Sequence, residues 1–360
     1  MNMKNLKQAV TEIESKNGRQ NSLRRIVNAT ILGRLRGGET TVQEAESYLQ
    51  TKLISLAGPV SSQYLSNDSK KVVLLGDWHG NFEGACEGGN SERVDKHLKD
   101  AFASESIEFN LILEDSSDWL QKEYNLQNNL PFVDKENEFM DAIYNIASKH
   151  YGKSEKKAVH VNDARIALGV DRLEFGRHWQ LILHHLTPQS PNTDLKDLFW
   201  NLYHPFIELF FNFHKGYEEK KSAGEMNFGS AQLNKAMQEL EIKVGKERLR
   251  KLMGIVHEEL DSFMSNLLSN PMHAEDIFPM SMQVLSVITH FAELYTMYIV
   301  MTSRLNNNIV YVGNEHTRIL RKYFDVLGFS LNHKDLGHDD KKDFRCVLAI
   351  PFEVYFNSTK

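Results

Sequence analysis

At 360 residues and 41.5 kDa the chain can bury a large core in two or three domains without staples, and its 41% hydrophobic, 25% charged and 10% aromatic content, with only 21 Gly and 8 Pro, excludes wholesale disorder and collagen-like repeats. A formal net charge of −6 supplies no global attraction to a phosphate backbone, so nucleic acid is not an expected partner. The two cysteines, Cys86 and Cys346, lie far apart in the sequence, suggest neither a disulfide framework nor a zinc cluster, and point to a reducing compartment.

Residues 1–65 carry helical periodicity, with Leu6, Val10 and Ile13, then Leu23, Ile26, Val27, Ile31 and Leu35, then Ala45, Tyr48, Leu49 and Leu53 recurring at helix spacing. Gly18, Gly37 and Gly38 punctuate them, so a small three-helix N-terminal unit is expected. Lys16, Arg19, Arg24, Arg25, Arg34 and Arg36 fall in a stretch without an acid. A basic amphipathic helix of this kind can dock on an anionic membrane surface through Arg24, Arg25 and Arg34, or it can be the solvated face of a small bundle. The N-terminus lacks the uninterrupted apolar run of a signal peptide, so no Sec-type export is expected. Met282 to Met301 is the most membrane-like stretch, but Gln283, His290 and Glu293 interrupt it, and it reads as a buried helix.

From Lys70 the pattern changes. Short continuous apolar runs occur at Lys70 to Asp77, Phe109 to Leu113, Ala158 to Val161, Ile309 to Val312 and Cys346 to Ile350, and each suits a strand covered on both faces. Amphipathic helices are expected between them at Ser91 to Ala103, Glu136 to His150 and Thr317 to Leu327. This alternation predicts an α/β domain over residues 66–360 with a mostly parallel sheet wrapped by helices. Residues 171–307 carry almost no strand signal and are too long for a crossover helix, so they read as a large helical cap insertion, of a kind expected to roof the strand C-termini.

The residues at the C-terminal end of each apolar run carry the chemistry. The first strand ends Gly76-Asp77-Trp78-His79-Gly80, the second Glu114-Asp115, the third Asn162-Asp163-Ala164-Arg165, and the fourth Gly313-Asn314-Glu315-His316. Polar residues after strands are often caps or turn formers. Four such ends together match the expectation that reacting groups gather at the carboxyl edge of a parallel sheet, with Gly76, Gly80 and Gly313 allowing close backbone approach. Two histidines and a carboxylate can hold one divalent metal and activate its water, with His79, His316, Glu114 and Asp77 as the available ligands. They can equally work without metal, a histidine serving as general base and a carboxylate orienting it. Arg165 offers paired donors for a substrate carboxylate, phosphate or developing oxyanion. No Gly-x-Ser-x-Gly turn, phosphate-binding loop or dinucleotide fingerprint is present. Among the remaining histidines, His178 and His290 are the cap residues considered for the site, and the others read as structural.

VVLLGDWHG, LILED, NDAR and IVYVGNEHTRILRKYF, with a helical insertion before the last, resemble the superfamily that joins erythromycin esterases, ChaN-type haem-binding lipoproteins, TIKI/TraB proteins and related domains of large bacterial toxins. The resemblance covers roughly Lys70 to Phe329. It implies that His79 and His316 are the active-site histidines, that Glu114 is the catalytic carboxylate, and that Asp77 stands where Glu is frequent after the first Gly. It implies supporting or substrate-binding roles for Asp163 and Arg165, and we group Asp115 and Glu315 with them. The activity implied is hydrolysis of an amide or ester in a peptide, protein or small-molecule substrate, in a toxin-like effector acting in the cytoplasm or a host cytosol; relatives that only bind a ligand such as haem keep a non-catalytic alternative open. VVLLGDWHGNFEG is also similar to the opening of calcineurin-like metallophosphoesterases, which would make Asp77, His79 and Asp115 metal ligands. The later segments lack two histidines that such a two-metal centre requires.

Overall fold

The computed structural model describes residues 54–77, 91–114, 138–162, 199–210, 231–269, 276–335 and 346–357, apart from 151, 205 and 209. The chain folds as α/β, and the described chain divides into two compact units. The first takes in the described residues up to Val161 together with Arg304–Arg318 and Gly328–Lys360; the second spans Asn162–Ser303 and Ile319–Leu327.

The first unit is built on strands β1 (Ile54–Ala57), β2 (Ser61–Ser66), β3 (Lys71–Asp77), β4 (Ser91–Arg93), β5 (Phe109–Glu114), β6 (Lys157–Asn162), β7 (Asn307–Gly313), β8 (Ser330–Asp335) and β9 (Cys346–Ala349). Six of them form a sheet in the order β6-β5-β7-β3-β2-β8. β3, β5 and β7 run parallel, as their covered, continuously apolar sequences predict. β2 runs against both β3 and β8, so β8 points the same way as β3 and β2 is the reversed strand between them. A line of buried polar groups ties the central strands together. His160 on β6 lies 3.3 Å from Asn110 Oδ1, Asn110 donates its amide to Asn308 Oδ1 at 2.8 Å, and Asn308 donates onward to the Lys71 carbonyl at 3.2 Å. A slip of one residue would strand those amides among apolar side chains, so the ladder holds the register that aligns the strand ends.

Two sequence expectations are corrected here. The helical N-terminal unit does not reach residue 65, because Ile54–Ala57 and Ser61–Ser66 are strands; residues 1–53, with Arg24, Arg25 and Arg34, lie outside the described residues. Helical spacing in that stretch ends at Leu53, and the segment beyond it is β-compatible Ser, Tyr and Ile around Gly58 and Pro59. Second, the Cys346 to Ile350 run is not a strand of the large sheet. As β9 it pairs antiparallel with β1 in a separate three-stranded sheet of order β4-β1-β9. Cys346 is disulfide-bonded and no cysteine is free among the described residues, which overturns the reading of reduced thiols. The chain's other cysteine, Cys86, lies outside the described residues.

Helices α1 (Val94–Ala103) and α2 (Glu138–His150) and the C-terminal α7 (Phe352–Asn357) complete this unit. Their buried Leu98, Phe102, Ile143, Phe352 and Phe356 join Leu111, Leu113 and Tyr311 of the sheet in one core. α7 is fastened through His97: Nδ1 lies 2.9 Å from Glu92 Oε2, Nε2 accepts the Phe352 N–H at 3.3 Å, and the ring packs on Phe352 at 4.4 Å. Burial pushes the imidazole below its ordinary range, with the Glu92 carboxylate opposing. His160 is displaced the same way by burial. A folded-state pKa below the unfolded value means that the unfolded chain takes up the proton first, so stability is held above about pH 6.5 and lost as pH falls below it. His97→Asn should flatten that acid limb, and Tm measured from pH 7.5 to 5 in both proteins checks it; parallel curves would refute the assignment.

Beyond Asn162, the last residue of β6, the described elements of the second unit are helical: 199–204 and 206–208, then α3 (Ala231–Val244), α4 (Lys246–Ser269) and α5 (Ile277–Thr302), closing on residues 319–326 of α6 (Asn314–Val326). Its core is aromatic. Phe210 stacks on Phe291 at 5.9 Å and meets Phe263 edge-on at 6.0 Å. Among the described residues α5 is the one helix long and apolar enough to cross a membrane, and 67% of its most apolar window is buried inside the protein. Of the residues that interrupt its hydropathy, His290 and Glu293 are buried and Gln283 is half-buried: His290 bonds the Tyr323 hydroxyl at 2.7 Å, and burial, helped by the Glu293 and Glu259 carboxylates, raises that phenol well above its ordinary range.

Candidate active site

β7 is the middle strand of the parallel trio, and register decides which residues meet at its C-terminal end. Asp77 of β3 is the partner of Gly313, and Glu114 follows Leu113, the partner of Tyr311, on the other side. α6 starts directly after β7, so His316 sits in its first turn above the same rim. Glu114 joins these elements. Its Oε2 accepts the Gly313 backbone N–H at 2.5 Å and its Oε1 lies 3.1 Å from His316 Nε2. Two residues separated by 202 positions are thereby held as a carboxylate–imidazole pair, each about one-fifth exposed. The Gly313 bond fixes the carboxylate plane. In the tautomer that carries its proton on Nε2, the ring faces Glu114 as donor and Nδ1 is the basic nitrogen.

A second set of contacts fixes the start of α6. Ser61, buried at the start of β2 and the register partner of Gly76, donates its hydroxyl to Asn314 Oδ1 at 2.6 Å. Thr317 donates to the Asn314 carbonyl at 2.7 Å, and its oxygen lies 3.5 Å from Ser61 Oγ. Gly76 makes this possible, because a Cβ there would lie 2.4 Å from Ser61 Oγ and 2.7 Å from Asn314 Oδ1. The glycine in Gly76-Asp77-Trp78-His79 is thus a steric requirement of the start of α6.

The structure brings together Glu114 and His316, with Asp77 buried at the last position of β3 beside Gly313. It does not bring Glu315 to them: that side chain is exposed and held by Arg318, whose Nε lies 2.8 Å away. His79, Asp115, Asp163 and Arg165 lie outside the described residues. Asn162, which precedes Asp163, has its amide taken up by the Ala292 carbonyl at 2.8 Å and the Thr296 hydroxyl at 2.5 Å. Among the described residues no three His, Cys, Asp or Glu side chains are grouped to hold a metal ion; of the four candidate ligands His79 lies outside them. Sequence reading missed Ser61 and Thr317 and left Asn314 without a role. Nothing in the polar run SSQYLS marks it as a strand that returns to the rim.

No family model matches the chain, no curated protein matches it, and no solved structure matches it. The functional reading is therefore carried by this geometry.

Proposed function

We propose that the chain is a hydrolase of amide or ester bonds, of the type shared by erythromycin esterases, ChaN-type and TIKI-like proteins, in which a histidine activates water and Glu114 orients and charges that histidine. The observation that carries it is the Gly313–Glu114–His316 contact set at the carboxyl end of the parallel strands.

The tautomer dictates the steps. His316 takes a proton from water through Nδ1 while Glu114 stabilises the imidazolium. The water oxygen adds to the carbonyl carbon, and the π pair moves to the carbonyl oxygen. On collapse the bond to the leaving nitrogen or oxygen breaks, and the imidazolium returns its proton to that atom. His79 is the second general acid–base in this reading, Arg165 binds an anionic group of the substrate, and Asp77 and Asp163 support the constellation. A toxin-like effector role and docking on anionic lipid through Arg24, Arg25 and Arg34 belong to the same proposal. The full chain is expected to turn over a panel of p-nitrophenyl esters and acyl p-nitroanilides, with His316→Gln lowering kcat by about 10²- to 10⁴-fold. No turnover on any of them would overturn the proposal, and a Soret band on haemin titration would then favour a ligand-binding module.

A further inference from the structure

We propose that Cys346 is bonded to Cys86 and that this intramolecular disulfide is a thiol-sensitive restraint through which β9 holds the segment joining β3 to β4. Cys346 is disulfide-bonded and the chain has one other cysteine, so the pairing follows by count. Register makes it reachable. Ser55 pairs with Ser91 on one side and with Leu348 on the other, which puts the start of β4 about 10 Å from Leu348, and Cys346 lies two residues, about 7 Å, further along β9. Cys86 stands five positions before Ser91, a length of chain that spans up to about 17 Å.

β9 does not need the bond to stay in place. Val347 and Ala349 are buried in the core, β1 pairs with the strand along its whole length, and the Leu348 carbonyl accepts from Ser62 Oγ at 3.0 Å and lies 3.0 Å from His333 Nε2. What the disulfide adds is a covalent hold on residues 78–90, which follow Asp77, the register partner of Gly313, and include His79. Cys346 is half-buried and alternates with Val347 and Ala349 along β9, so its sulfur lies on the less covered face, where a small thiol can reach it. Reduction takes two equivalents of a low-molecular-mass thiol. The first thiolate breaks the S–S bond, frees one cysteine and forms a mixed disulfide; the second attacks the mixed disulfide, so both cysteines end as thiols and the small thiols leave as their own disulfide, two electrons having passed to the protein.

The test uses the full chain. Peptide mapping after alkylation without reduction should return Cys86 and Cys346 in one linked peptide from a monomer; alkylation of both cysteines, or a disulfide between two copies, overturns the pairing. Hydrogen exchange with and without excess reduced glutathione should show the amides of residues 78–90 exchanging at least about tenfold faster after reduction while those of β9 are unchanged. Cys86→Ser should exchange like the reduced chain in both conditions. Equal rates in the two redox states, or loss of protection in β9 as well, overturns the restraint. The effect on turnover rests on the hydrolase reading: on the anilide probes, after the thiol is removed, kcat should be about tenfold lower in the reduced chain, recover on reoxidation, and be insensitive to thiol in Cys86→Ser. Turnover indifferent to reduction overturns the link between the disulfide and the site. Absent turnover in both redox states counts against the hydrolase reading alone, and the mapping and exchange results decide the restraint by themselves.

Discussion

Glu114→Gln is expected to lower turnover of the ester and anilide probes by about 10³-fold, at the scale of losing the carboxylate behind a general base. Two contacts set the size. A glutamine oxygen can still accept from His316 Nε2, but it carries no charge to stabilise the imidazolium formed when water is deprotonated. Its amide nitrogen would then fall where Oε2 now accepts the Gly313 N–H, opposing donor to donor at a 2.5 Å contact. Turning the amide over relieves that clash and moves it onto His316, where Nε2 would be driven to surrender its proton and the basic lone pair would leave Nδ1. Steady-state kinetics across pH 5.5–9 checks this, since the histidine-dependent limb should vanish with kcat. Activity within a few-fold of wild type would sink the pair as the engine of the reaction.

Gly76→Ala should destabilise the chain and disable the site together. A methyl group there meets Ser61 Oγ at 2.4 Å, Asn314 Oδ1 at 2.7 Å and Asn314 Cα at 3.0 Å. Rotating Ser61 away relieves the first contact, but it leaves a buried hydroxyl and the Asn314 carboxamide without each other. The last contact is backbone at the start of α6, so the helix that carries His316 must move. Overpacking of this kind costs about 1–3 kcal/mol, with about 1 kcal/mol more for the broken hydrogen bond. Gly254→Ala in α4 is the contrasting control: a Cβ there meets nothing within 4 Å, and alanine should raise stability by about 0.8–1 kcal/mol through helix propensity alone. Denaturant titration of both variants decides it, and a Gly76→Ala protein as stable and active as wild type would remove the steric argument.

The sheet was legible where one strand's burial is written in its own residues. KVVLLGD, FNLILE and NNIVYVG are continuously apolar because neighbours and helices cover both faces, and those are the strands β3, β5 and β7. β2 and β8 were not legible. SSQYLS is polar yet buried, since Ser61 is satisfied by Asn314, Ser62 donates to the Leu348 carbonyl and Tyr64 to the Ile350 carbonyl, all more than 250 positions away. His333 in β8 is buried against the same Leu348 carbonyl at 3.0 Å. A polar residue cannot announce a partner that only the fold supplies.

The same division holds at the candidate site. Residue order alone determined that acids and histidines come directly after apolar runs, and therefore that they lie at strand ends, because chain direction and strand length are local properties. Tertiary structure decided which ends are neighbours. Placing β7 between β5 and β3 put His316 beside Glu114, while a helical phase set by the start of α6 turned Glu315 outward to Arg318. Adjacency of strands depends on backbone pairing and shared burial summed over the whole sheet, and no segment of the sequence carries that sum by itself.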